Sequence, residues 1–198
     1  MANQLRVGLI GTGRIGQVHA KSVVSHPDTV LHRVSDVFLE GAQQTAKEYG
    51  GEATGNPDEL FSAGDLDLLI IASPTTTHID LIEKAIDAGI PALCEKPIDL
   101  DIERVDRLRE KANATTVPIG LGFNRRFDPH FAAVRSRVLA GDIGNLEQLL
   151  ITSRDPAPAS TEYLAVSGGI FRDMTIHDFD MARYFVPEIV SVTAQGFN

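Results

Sequence analysis

Cysteine occurs once in 198 residues, at Cys94, and tryptophan not at all. A lone thiol excludes an internal disulfide and any multi-cysteine zinc site, and it fits a reducing cytoplasm. Cations are the minority: 18 Lys and Arg face 27 Asp and Glu, a formal net charge of −9. That balance argues against nucleic-acid and anionic-membrane binding, both of which need clustered basic residues. No apolar run approaches the roughly 20 residues that span a bilayer. Met1 to Arg6 lead into the first apolar run without the basic segment and apolar core of an export signal. Neither a fixed-period repeat nor a low-complexity tract is present. The expectation is a soluble, cytoplasmic chain with room for one domain and part of a second.

What is there begins with Val7-Gly8-Leu9-Ile10, a short apolar run that leads into Gly11-Thr12-Gly13-Arg14-Ile15-Gly16. Ile15, Val18, His19, Ser22 and Val23 then recur at helical spacing, so the stretch predicts strand, tight turn and helix. Gly11 permits the sharp turn, Gly13 removes the Cβ that would hold a pyrophosphate off the backbone, and Gly16 lets helix and strand pack closely. The amides opening the helix face an anion. A second apolar run, Val30 to Val34, ends at Asp36, where a carboxylate would accept hydrogen bonds from the adenosine ribose hydroxyls. The carboxylate would repel a ribose 2′-phosphate, and Val37 and Phe38 offer no cation to bind one, so NAD is expected over NADP. Arg33 is the nearest competing cation, and its place inside the strand should point it away from the ribose.

Further along, Leu39 to Tyr49 predicts a helix with Ala42, Thr45, Ala46 and Tyr49 on one face, ended by Gly50-Gly51. Asn56 can cap a short helix with Pro57 in its first position and Leu60 and Phe61 buried. Leu66 to Ala72 is nearly continuous in apolar residues, as expected of a central parallel strand. At its carboxyl end lies Ser73-Pro74-Thr75-Thr76-Thr77-His78, then a helix carrying Ile79, Ile82, Ala85 and Ile86. Ligands of open α/β sheets bind at such strand ends, so Ser73, Pro74, Thr75 and His78 are candidate cofactor contacts; a hydroxyl-rich helix cap is the other reading. Pro91 to Pro97 is a short strand ending in Glu95 and Lys96, which join the candidate contacts. Asp99 or Asp101 can cap a helix burying Ile102, Val105, Leu108 and Ala112, and Val117 to Phe123 is another strand. The alternation predicts an α/β Rossmann domain, a doubly wound parallel sheet, over 1–123. From Asn124 the pattern changes. A helix that follows Asn124 to Pro129 and runs to Leu139, a strand from Leu146 to Ser153, a loop with Pro156 and Pro158, a helix over Phe171 to Phe185 and a strand over Ile189 to Ala194 predict the start of an α+β open-sheet domain, 124–198.

Hydride transfer from an alcohol needs a base for the hydroxyl proton and a positive group near the forming oxyanion. Asp173, His177 and Asp180 fall on one face of the last predicted helix, and an aspartate one turn from a histidine can fix its tautomer. Lys96 could supply the charge. The same residues also read as an ordinary histidine–aspartate pair, a solvated lysine or, for the three together, a metal site; zinc dehydrogenases commonly use cysteine ligands, and no metal is expected. Arg125 and Arg126 could equally be surface charge.

The glycine turn with Asp36, Cys94-Glu95-Lys96-Pro97, Gly122-Phe123-Asn124-Arg125-Arg126-Phe127-Asp128, and the run from Ser167 to Asp180 together resemble the Gfo/Idh/MocA oxidoreductase family. The resemblance implies a Rossmann domain followed by an open-sheet domain that carries substrate residues and the contacts of a homo-oligomer. It implies that Lys96 and His177 are catalytic, that Asp173 supports the histidine, that the bond before Pro97 is cis, and that Arg125 contacts a polyol, with Asp180 adding selectivity. The implied activity is NAD-dependent oxidation of a ring hydroxyl of a cyclitol; another sugar, or a non-catalytic dinucleotide-binding sensor, are the alternatives. Family members are longer, which implies a second domain cut short and a chain that binds NAD but turns over poorly alone.

Overall fold

A computed structural model of the protein describes residues 4–155, 157–186 and 188–196; Met1 to Asn3 of the expected lead-in and Pro156 of the expected loop lie outside the described residues. The chain divides into two compact units between Gly122 and Phe123.

In the first unit, β1 (Leu5–Ile10), β2 (Thr29–Ser35), β3 (Glu52–Thr54), β4 (Leu68–Ile71), β5 (Ala92–Cys94) and β6 (Ile119–Leu121) form one parallel sheet in the order β3-β2-β1-β4-β5-β6. Alternate side chains of β4 explain its unbroken apolar sequence. Leu69 and Ile71 enter a layer with Leu60, Ile79, Ile82 and Leu108, while Ile70 enters the opposite layer with Val7, Leu9, Ala20, Val34 and Ala42. Helices α1 (Arg14–Ser25) and α2 (Leu39–Tyr49) supply residues to the second layer; α3 (Asp58–Ser62), α4 (His78–Ala88) and α5 (Ile102–Ala114) supply the first. Asp101 caps α5 by accepting from the Glu103 amide at 2.9 Å, and Asn56 accepts from the Asp58 amide at 3.0 Å as α3 begins. Ile102 departs from expectation: it is exposed, because only the later turns of α5 reach the layer around Leu108. The three-residue edge strand β3 was not anticipated, since Glu52-Ala53-Thr54 carries too little apolar signal.

The second unit opens with a 3-10 turn at Asn124–Phe127, then α6 (Pro129–Leu139), α7 (Thr161–Val166), α8 (Ile170–Asp173) and α9 (Ile176–Phe185). Asp128 accepts from the amides of His130 and Phe131 and starts α6 with Pro129 in place. Two expectations are corrected here. The segments 146–153 and 189–194 form no strand among the described residues; apolar alternation names a face, but a strand exists only where a ladder partner takes up its amides and carbonyls. The single helix expected over 171–185 is broken at Met174 and Thr175. There the Thr175 hydroxyl donates back to the carbonyls of Ile170 and Phe171, competing with the helical ladder. Asp173 and His177 therefore lie on separate helices.

Candidate active site

The sheet order reverses between β1 and β4, which places their carboxyl ends at the topological switch point where open α/β sheets bind ligands. The glycine turn leaves β1 there. Gly11 has φ +94°, and a Cβ on it would lie 2.6 Å from the Ala72 backbone; a Cβ on Gly16 would lie 2.1 Å from the Gly11 carbonyl oxygen. Both are required by the protein's own packing. Gly13 is different. A Cβ there would meet nothing within 4 Å, so nothing in the protein requires its bareness, and the exposed backbone at the start of α1 fits an approaching pyrophosphate. Arg14 is exposed beside it, and Ile15 packs inward.

Asp36 sits just beyond β2. It accepts from the Thr12 amide at 2.8 Å, the Thr12 hydroxyl at 2.7 Å and the Phe38 amide at 2.9 Å. Burial disfavours its charge, but these hydrogen bonds outweigh it and hold the carboxyl below its usual range. An ionised acid tied to the glycine turn fits a ribose diol and repels a 2′-phosphate. Arg33 points elsewhere: its guanidinium bonds Asp65 at 2.6 Å and Glu52 at 2.9 Å, and Val37 and Phe38 are exposed. The residues present thus fit NAD.

At the end of β4, the Ser73 and Thr77 hydroxyls lie 2.7 Å apart, and a 3-10 turn at Thr75–Thr77 leads into α4. His78, expected as a cofactor contact, is only 1% exposed. Its ring nitrogens lie 2.8 Å from the carbonyls of Pro97 and Ser73, so the ring is committed to backbone and offers a ligand no surface.

The turn after β5 carries Glu95, Lys96 and Pro97, and the Lys96-Pro97 bond is cis. Sequence reasoning gave Glu95 no mechanism and His19 no part. Glu95 bonds the His19 ring at 2.7 Å and accepts from the Lys96 amide at 3.3 Å. Burial pushes against its charge, and the bonds from His19 and Lys96 hold the carboxyl below its usual range nonetheless. Gly122 leaves room for it, since a Cβ there would come within 2.8 Å of the Glu95 carboxylate. Beside it the Cys94 thiol is buried, and burial pushes its ionisation up, so it is inert as a nucleophile.

In the second unit Asp173 accepts from the Tyr163 hydroxyl at 2.8 Å, and His177 at the start of α9 meets Phe123 edge to face at 6.3 Å between ring centroids. Arg125 donates to Asp178, which also accepts from Ser153 at 2.6 Å. Asp180, expected to select substrate, is buried and gripped by both forks of Arg126 at 2.7 to 3.0 Å, a structural pair. Sequence reading missed Asp178, Ser153 and Tyr163. Adjacent arginines at 125 and 126 matched by aspartates two apart at 178 and 180 were the available signal. Among the described residues, no cluster of three or more His, Cys, Asp or Glu could hold a metal, and no helix is long and apolar enough to cross a membrane.

The chain is 51% identical over 191 residues to an inositol 2-dehydrogenase of Rhizobium meliloti, covering 96% of this chain and 58% of that protein. Its fold matches a crystal structure of a myo-inositol dehydrogenase from Corynebacterium glutamicum with a TM-score of 0.90 and 56% identity, over 97% of this chain and 60% of that one. It also matches a scyllo-inositol dehydrogenase from Lactobacillus casei with bound NAD(H) and scyllo-inositol, with a TM-score of 0.81 and 32% identity, over 92% of this chain and 56% of that one. Residues 5–123 match the model of an oxidoreductase family with an NAD-binding Rossmann fold, and residues 131–198 match the C-terminal domain model of the same family. Matched over both of its units, the chain belongs to the Gfo/Idh/MocA oxidoreductase family.

Proposed function

We propose that the whole protein is an NAD-dependent dehydrogenase that oxidises a ring hydroxyl of a cyclitol, myo-inositol to 2-keto-inositol. The observation that carries the reading is the 51% identity to an inositol 2-dehydrogenase in a chain that keeps Lys96, Asp173 and His177. A sensor that only binds dinucleotide has no use for both the ammonium and the imidazole. NAD, when bound, supplies the hydride acceptor at nicotinamide C4. The chain's own residues do the rest. Glycine turn, Asp36 and the Ser73-Pro74-Thr75 loop hold the dinucleotide; His177 takes the hydroxyl proton with Asp173 orienting it; Lys96 stabilises the forming oxyanion; Arg125, aimed by Asp178 and Ser153, hydrogen-bonds neighbouring hydroxyls.

The likeness to a scyllo-inositol dehydrogenase supports a second reading, in which another cyclitol or a sugar is preferred. The single buried cysteine supports a cytoplasmic setting, and the family supports a homo-oligomer for the whole protein. A polyol panel assayed with NAD and NADP, read by absorbance of the reduced cofactor in the full-length protein, tests the reading. Myo-inositol with NAD should give the highest kcat/KM, and His177→Ala or Lys96→Ala should lower kcat by about 100-fold or more. Turnover near wild type in either variant overturns the assignment.

A further inference from the structure

We propose that His78 is a positioning residue: it ties the loop after β4 to the turn after β5 and so fixes the backbone from which Lys96 projects. The inference rests on the reading of Lys96 as the group beside the reacting oxygen. The ring lies at the first position of α4 and is 1% exposed, yet both its nitrogens are used. Nδ1 reaches the Pro97 carbonyl and Nε2 the Ser73 carbonyl, each at 2.8 Å. Both acceptors belong to irregular backbone at the strand ends, where no sheet ladder extends to pair them. Carbonyl oxygens only accept, so holding both at once takes a hydrogen on each ring nitrogen. An apolar side chain of equal volume would fill the space and leave the buried Pro97 carbonyl and the part-buried Ser73 carbonyl without this donor.

The two ties govern different halves of the site. Pro97 directly follows Lys96, and the Lys96 amide is already held from the other side by Glu95, which in turn bonds His19. The Glu95–Lys96 peptide is thus held by the Glu95 carboxylate, and the Pro97–Ile98 peptide, one residue past Lys96, by His78. Ser73 opens the loop proposed to face the dinucleotide, and its hydroxyl is locked to that of Thr77, the residue just before His78. One imidazole therefore sets the register between the loop that binds cofactor and the turn that carries the ammonium.

Two conservative variants separate the ties. The amide nitrogen of asparagine can sit about where Nδ1 lies, keeping the Pro97 bond; that of glutamine can sit about where Nε2 lies, keeping the Ser73 bond. In the full-length protein, His78→Gln should lower kcat for cyclitol oxidation about tenfold with the NAD KM within about twofold, through loss of one buried hydrogen bond at the Lys96 turn. His78→Asn should do the reverse, raising the NAD KM about fivefold with kcat within about twofold. Identical effects of the two variants, or a lowered Tm with unchanged kinetics, would overturn the proposal. Lys96→Ala run alongside separates the two hypotheses. Undiminished turnover in that variant sinks the proposed function, whereas an inactive Lys96→Ala with indistinguishable His78 variants sinks only the role of His78. Should the His78 variants not fold, the wild-type chain labelled with 15N-histidine still decides. A slowly exchanging His78 ring N–H is expected, and exchange as fast as that of exposed His26 would overturn the proposal.

Discussion

The first unit encloses its strands between two apolar layers, whereas the second leaves much of its apolar surface in solvent. Leu69 and Ile71 of β4 are 0% exposed, but Leu150 is 83%, Val192 81% and Val190 89% exposed. Met181 is the one large apolar residue buried among those described in the second unit, beside a groove of about 540 Å³ lined by Phe131, Val134, Leu149 and Phe185. Order there comes instead from charge and stacked rings: Arg126 with Asp180, Arg125 with Asp178, and the Arg126 and Arg135 guanidinium groups over Tyr184 at 5.2 and 4.4 Å. The difference teaches that a doubly wound sheet whose strands and helices come from one continuous segment completes its own core. Helices whose apolar faces meet no sheet among the described residues do not. The chain spans 58% of the length of the curated relative it matches at 51% identity.

The contrast breaks or holds on three measurements. The largest effect is expected from Leu69→Ala, which empties a fully buried site and should cost about 3 kcal/mol in chemical denaturation, against a change within about 0.5 kcal/mol for Leu150→Ala. Equal costs would mean that the two regions are built alike. Next, if the pyrophosphate approaches at Gly13 as proposed, Gly13→Ala should lower NADH affinity about tenfold or more, read by nucleotide fluorescence, with Tm unchanged, because the added methyl meets no protein atom. A fall in Tm instead would make the bareness of Gly13 a packing requirement like that of Gly16. The smallest effect concerns acid. Folding holds Asp36 and Glu95 below the ordinary carboxylate range, so the unfolded chain binds protons first. Their stabilising contribution is complete above about pH 5 and is lost as pH falls through the folded values. Asp36→Asn should accordingly flatten the fall of Tm between about pH 5 and pH 3; an unchanged slope would remove Asp36 from the account.

Legibility followed the range of the interactions involved. The path from Val7 to Asp36 could be read because strand, bend, helix and acid each impose a demand on one nearby residue, and β4 because double-sided burial writes an unbroken apolar run. The break in 171–185 is a change of backbone register, the Thr175 amide reaching five residues back to Ile170 and the Asp178 amide three back to Thr175, which helical periodicity does not encode. The extended segments at 146–153 and 189–194 depend on partners, which alternation alone does not supply. His78 opens its helix as its position suggests, but its burial left no local signal. A polar ring at the head of a helix suggests solvent or ligand, and what buries it is the Pro97 carbonyl nineteen residues away. The Glu95–His19 bond spans 76 positions and left no pattern at either end.

The bonds that draw Arg33 to Asp65 and Glu52 reach beyond the strand they steady. Trading Asp36 for a neutral residue would lift the repulsion toward a phosphorylated ribose without freeing Arg33 to welcome it, since that guanidinium is already spoken for. A grip on the other pyridine nucleotide would therefore have to come from a cation outside β2.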